Sequence, residues 1–176
     1  YFAGKIIYQM LDALRYIHAL GICHNNITND NILLLQKQKL FILSDFTHSF
    51  ISSSKCVFSE ISEYSAPEKI KHEPFDISSD MWSLGVSLFV MLSGQLPFPS
   101  YISNQRECIE TILSGHLNYQ LLIDAGISED AINLIQSLCK VDPHQRITAK
   151  EAITNKWVIK NGNENESKEY FSKLEH

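Results

Sequence analysis

The sequence predicts a mainly α fold of the α+β kind, with one or two small β-hairpins. Three observations carry this. Apolar residues recur at three- and four-residue spacing in several separate segments, the mark of amphipathic helices. One further segment, residues 80–92, is apolar nearly all round and so belongs at the buried centre. Two short apolar runs, Ile32–Leu35 and Leu40–Leu43, flank the polar Gln36–Lys39. That is a strand–turn–strand signal, although the turn lacks Gly or Asn.

Taken in order, residues 1–19 form one apolar stripe from Ile6, Ile7, Met10, Leu11, Leu14 and Ile17, and Gly21 closes that helix. Residues 47–63 are rich in Ser, have no clean period and read as a mobile loop. Ser79 is the expected cap of the central helix, and Gly94 its stop. A helix over 104–114 turns Cys108, Ile109, Ile112 and Leu113 inward, with Gly115 after it. The next starts after Ser128 with Glu129 and Asp130 in its first turn, where acids suit the positive helix end. Its stripe is Ala131, Ile132, Leu134, Ile135, Leu138 and Cys139. Thr148-Ala149-Lys150-Glu151 is a capping-box pattern opening a last helix toward Trp157. From Asn161 the chain turns to Asn, Glu, Lys and Ser, a polar tail over 161–176. Its end, Leu174-Glu175-His176, looks like tag residues.

With 176 residues, 44% of them apolar and 20% charged, the chain suits one cored globular domain. A net charge of -5 argues against a nucleic-acid face, which needs a basic stripe. Cys23, Cys56, Cys108 and Cys139 include no C-x-x-C pair, so zinc and a disulfide framework are not expected. A reducing, cytoplasmic setting fits that usage. No apolar run has bilayer-spanning length, so no membrane partner is expected. The chain begins at Tyr1 without Met and reads as a fragment.

The motifs are more specific. Cys23-His24-Asn25-Asn26-Ile27-Thr28-Asn29-Asp30-Asn31 is followed, after one hairpin, by Ser44-Asp45-Phe46-Thr47. Further on stand Ser65-Ala66-Pro67-Glu68, then Asp80-Met81-Trp82-Ser83-Leu84-Gly85, then Ser93-Gly94-(x)2-Pro97-Phe98, and finally Asp142-Pro143-His144-Gln145-Arg146-Ile147-Thr148-Ala149. In this order and spacing they resemble the eukaryotic protein kinases, most closely the calcium/calmodulin-dependent group. The resemblance covers residues 1–160 and implies the C-terminal large lobe only. No Gly-rich phosphate loop, Val-Ala-x-Lys lysine or partner glutamate is present. The N-terminal lobe is thus absent from these residues, and a small lobe is expected upstream of Tyr1.

The family writes His-Arg-Asp-(x)4-Asn and Asp-Phe-Gly. This chain keeps His24, Asn31, Asp45 and Phe46, but has Asn25 for the Arg, Asn26 for the catalytic Asp and Thr47 for the Gly. In kinases that Asp accepts the substrate hydroxyl's proton. Asn26, an amide, orients a hydroxyl but is no base near neutral pH. The neighbouring Lys position is Thr28, and the Thr that would bridge the two falls at Ile61. No catalytic residue is therefore expected. Asn31 and Asp45 correspond to the family's Mg²⁺ ligands, candidates that a β-branched Thr47 in place of Gly leaves looking vestigial. No cofactor is expected for this fragment; ATP and Mg²⁺ come into question only for the full-length protein. With Asn25 in the Arg position, phosphate on Ser52, Ser53, Ser54 or Ser59 would find no partner there and should not switch the fold.

The resemblance gives the remaining residues structural roles. Glu68 and Arg146 are expected to pair, a guanidinium fork matching a carboxylate. Asp80 is expected to hold the backbone at His24 and Asn25, and His24 to stack with Phe46 in the core. Trp82 and Trp157 are read as core. These residues describe a pseudokinase-type module, regulatory or protein-binding, with an unidentified protein partner. The rival readings are the large lobe of an active Ser/Thr kinase of the calcium/calmodulin-dependent group and an isolated helical interaction domain. For the last, the surface that would face a small lobe should be polar.

Overall fold

The computed structural model describes residues 2–37, 40–52 and 60–162. Helix α1 (Phe2–Ala19) buries Ile7, Met10, Leu11 and Leu14, the stripe set by their spacing. Strand β1 (Ile22–Cys23) leads into a loop that ends in a 3-10 turn at Asn29–Asn31. Strands β2 (Ile32–Leu35) and β3 (Leu40–Leu43) pair antiparallel, with Leu33 opposite Ile42 and Leu35 opposite Leu40. Strict alternation puts these four on one face. All four are exposed. The opposite face buries Phe41 against α1, where Phe2 meets its ring edge-on at 5.1 Å and Gln9 accepts its backbone N–H at 2.6 Å.

Strand β4 (Phe50–Ile51) corrects the reading of 47–63 as loop throughout. It pairs antiparallel with β1, Cys23 opposite Phe50 and Ile22 opposite Ile51. Two-residue strands are too short to show a period, and this pairing spans a long connection rather than a hairpin turn. Of the two small sheets among the described residues, one is therefore a hairpin. Of the remaining loop, residues 53–59 lie outside the described residues.

The short helix α2 (Pro67–Ile70) is followed by α3 (Ser78–Ser93), which runs through the centre with every residue from Ser79 to Phe89 buried. Its start corrects the expectation for Ser79. Asp76 caps it, accepting the Ser78 N–H at 2.8 Å, and Ser79 instead donates its hydroxyl to the Asp76 carbonyl. Gly94 ends it at φ 73°, a left-handed value that L side chains rarely adopt. Helices α5 (Gln120–Asp124) and α6 (Glu129–Leu138) pack on α3, and α4 (Gln105–Ser114) packs on α2. Helix α6 comes so close that a Cβ on Gly85 would lie 2.5 Å from Cys139 Sγ and 2.8 Å from Leu138 Cβ.

The last helix is two helices, not one. The Thr148–Glu151 capping box opens α7 (Ala149–Ala152), and α8 (Lys156–Gly162) restarts where Asn155 accepts the Trp157 N–H at 2.9 Å. Both pack on α1, so the first and last described helices close the domain. Helix α8 runs to Gly162, two residues into the segment read as tail, and the rest of that segment lies outside the described residues. Among the described residues no helix is long and apolar enough to cross a membrane. Cys23, Cys108 and Cys139 are buried and free, and burial pushes all three thiols up, Cys108 to about 11. Cys56 lies outside the described residues.

Candidate functional site

The site is built where the loop after β1 crosses the start of α3. Asp80, in the first turn of α3 and 1% exposed, accepts three hydrogen bonds. The backbone N–H groups of His24 and Asn25 each donate at 2.8 Å, one to each oxygen. His18, from the last turn of α1, donates through Nε2 at 2.9 Å. Burial pushes the Asp80 carboxyl up, but His18 and the two backbone donors outweigh it and hold it below the ordinary carboxylate value. His18 escaped the sequence reading, because a histidine in a last helical turn gives no sign of a partner 62 residues away.

Held this way, the loop takes a tight path. Asn25 sits at φ 65° and Asp45 at φ 61°, left-handed values that Asn and Asp tolerate better than most residues. Asn25 also ties its side-chain amide to the His48 carbonyl at 3.0 Å. His24 is fully buried, and its hydrogen bonds define its protonation. The Asn26 N–H donates to Nδ1 at 3.3 Å, so Nδ1 is bare and Nε2 carries the proton that goes to the Ser44 carbonyl at 2.9 Å. Burial lowers the His24 pKa, against the pull of Asp80 and the Ser44 carbonyl.

Below the ordinary value of 6.5 the unfolded chain binds a proton that the folded chain refuses. Stability from this group is complete above that value and declines as pH falls through the lowered folded pKa. Urea midpoints measured from neutral pH downward should therefore drop below pH 6.5, and His24→Gln should flatten that drop.

Phe46 meets His24 edge-on, ring centroids 4.5 Å apart at 69°. The expectation that both lie in the core needs correcting, because Phe46 is 44% exposed. One ring edge rests on His24, and no other described side chain covers the rest enough to bury it.

Asp45 lies beside Asn31, since the Ser44 N–H and hydroxyl both donate to the Asn31 carbonyl at 2.9 Å. The Asn31 side chain donates to the Asn26 carbonyl at 2.8 Å. Asn26 in turn donates its side-chain N–H to Asp45 Oδ2 at 3.0 Å. Thr47 donates to Oδ1 through its hydroxyl at 2.5 Å and its N–H at 3.3 Å. The Thr47 hydroxyl, then its N–H, with Asn26 behind them, hold Asp45 below the ordinary carboxylate value. Among the described residues no group of three or more His, Cys, Asp or Glu side chains is placed to hold a metal ion.

A cavity of about 250 Å³ opens beside this network, lined among others by Asn25, Asn26, Thr28, Ile61, Tyr64 and Lys69. Asn26, Thr28 and Ile61 thus line one space. Lys69, 5% exposed, donates to the Asn25 carbonyl at 3.3 Å, a role the sequence reading missed.

Behind the site, Arg146 donates to both oxygens of Glu68, at 2.7 Å and 3.0 Å, and to the carbonyls of Ser78, Lys140 and Val141. Its guanidinium also lies 5.4 Å from the centre of the Trp82 ring. Trp82 is fully buried and stacks on Phe98, and Trp157 is 8% exposed.

The protein kinase domain family matches residues 2–158. The human "Serine/threonine-protein kinase H1" is 33% identical over 166 residues, covering 89% of this chain and 38% of that protein. The Pisum sativum "Calcium and calcium/calmodulin-dependent serine/threonine-protein kinase" is 34% identical over 162 residues, covering 89% and 30%. Among solved structures, the "Crystal structure of Rad53 kinase domain and SCD2 in complex with AMPPNP" matches at 32% identity and a TM-score of 0.73, covering 89% of this chain and 58% of that one. The chain therefore spans less than two fifths of the length of these curated relatives.

Proposed function

The chain belongs to the protein kinase family, and from that premise we propose that it works as a pseudokinase, a regulatory or protein-binding module without phosphotransfer. One observation carries the reading. Where the family's chemistry needs a carboxylate to take a substrate proton, this chain has the amide of Asn26, which spends a hydrogen on Asp45 instead. Thr28 and Ile61, at the two neighbouring positions of that chemistry, line the same cavity and supply neither positive charge nor a bridging hydroxyl. Asn31 and Asp45 are, in this proposal, vestigial ligands.

The proposal includes a large-lobe segment over residues 1–160 and a small lobe upstream of Tyr1. The hairpin supports a covering partner there, because Leu33, Leu35, Leu40 and Ile42 are exposed on one face. An isolated helical interaction domain would be expected to carry polar residues on that surface. A cytoplasmic setting and an unidentified protein partner complete the reading.

The second reading is an active Ser/Thr kinase of the calcium/calmodulin-dependent group. It is favoured by the kinase relatives and by the AMPPNP bound in a similar structure. A phosphotransfer assay on the full-length protein separates the two. The expected result is no labelling of a peptide serine above an Asp45→Ala control, with ATP and Mg²⁺ present. Labelling at ordinary kinase turnover, about 1–100 s⁻¹, abolished by replacing Asn26 or Asp45, would establish the second reading.

A further inference from the structure

Two departures from the family pattern, at positions 26 and 47, meet on one group. The Asn26 amide reaches Asp45 Oδ2, and the Thr47 hydroxyl reaches Oδ1. An Asp at 26 would be ionised, with no hydrogen to give, and a Gly at 47 would have no hydroxyl. Both side-chain donors thus exist only because of the substitutions. The Thr47 N–H adds a third bond, and the Asn31 side chain holds Asn26 in place through its carbonyl.

We infer that Asn26 and Thr47 form a metal-free latch on Asp45, occupying its oxygens with hydrogen-bond donors and joining the catalytic and metal loops without a divalent cation. The inference deepens the reading of position 26 as a lost carboxylate and rests on it.

The donor set does not fit Mg²⁺. That ion asks for about six oxygens in near-octahedral order. Here Oδ2 of Asp45 faces an N–H hydrogen, whose partial positive charge stands where a cation would approach. Oδ1 is bonded twice by Thr47. The amide at 26 also changes the electrostatics. Two carboxylates at this distance would repel each other unless a cation lay between them. An amide against a carboxylate attracts unaided, and the hydrogen bond to a charged acceptor is of the stronger kind.

The test uses the full-length protein and the metal alone, without nucleotide. Thermal unfolding of wild type and of the Asn26→Asp/Thr47→Gly double variant is followed with and without saturating MgCl2. The wild-type midpoint should not move. The double variant should melt lower without metal and recover by about 3 °C or more with it. A wild-type rise as large as the variant's, or a folded variant that ignores Mg²⁺, would overturn the latch. If the variant does not fold, wild-type NMR with Mn²⁺ decides. Undiminished side-chain amide signals from Asn26 and backbone signal from Thr47 support the latch, and their selective broadening overturns it. Metal binding by a wild type that transfers no phosphate would sink the latch alone; phosphate transfer would sink the pseudokinase reading.

Discussion

Arg146→Ala should destabilise the protein by about 3–5 kcal/mol, a large part of the ~5–15 kcal/mol typical of a domain. Glu68 is 3% exposed, and the substitution would leave its carboxylate buried without the two donors that now neutralise it. The carbonyls of Ser78, Lys140 and Val141 would lose a donor in the same step. Trp82 would lose the cation near its ring and gain a void beside it. In a domain of this size the midpoint should fall by about 10 °C. Denaturant melts check it, and a double-mutant cycle with Glu68→Gln assigns the cause. The double variant should lose clearly less than the sum of the singles, because the stranded charge is gone. A shift under about 1 kcal/mol for Arg146→Ala would show that the pair adds little beyond packing.

Asp80→Asn is expected to cost about 2–4 kcal/mol and, unlike Arg146→Ala, to loosen the site itself. The carboxylate serves three donors, that of His24 fully buried and those of His18 and Asn25 partly so, and an amide has only one oxygen. Its NH2 must face either the Asn25 N–H or the pair from His24 and His18. Hydrogen exchange at His24 and Asn25 should speed up while the amides of α6 change less. The pH profile gives a second readout. The folded pKa of Asp80 lies below the ordinary 3.8, so its contribution is complete above that value. It is lost as pH falls through the folded pKa. Wild type should therefore show a second, acid-range decline beneath the one from His24, and Asp80→Asn should lack it.

Much of the frame could be read from residue order. The stripes of α1, α4 and α6 follow from spacing, and the apolar girth of 80–92 marks a buried helix whatever its neighbours. The hairpin announces itself as two short apolar runs around a polar turn. What escaped depends on partners distant in sequence. The β1–β4 pairing joins strands of two residues, too short for any pattern. The cap at Asp76 rather than Ser79 turns on where the chain enters α3. The break before α8 turns on Asn155. Within the site, Glu68 and Arg146 could be named as a pair because their motifs were recognisable, whereas His18 and Lys69 had no motif around them. Phe46 was placed in the core by analogy, yet its burial depends on what lies over it, which its own sequence context does not encode.

By itself the sequence determined the chemistry available at each position: an amide at 26, a hydroxyl at 47, a carboxylate at 45. It also determined the order of helices that carries them, because periodicity and side-chain functional groups are local properties. Only the tertiary structure decided that these three groups converge, that one buried carboxylate gathers α1, α3 and the loop between β1 and β2, and that Asp45 meets hydrogens. The reason is directional. A hydrogen bond exists only when donor and acceptor lie within about 3 Å along a favourable line, and chain order does not fix that line for residues brought together by folding.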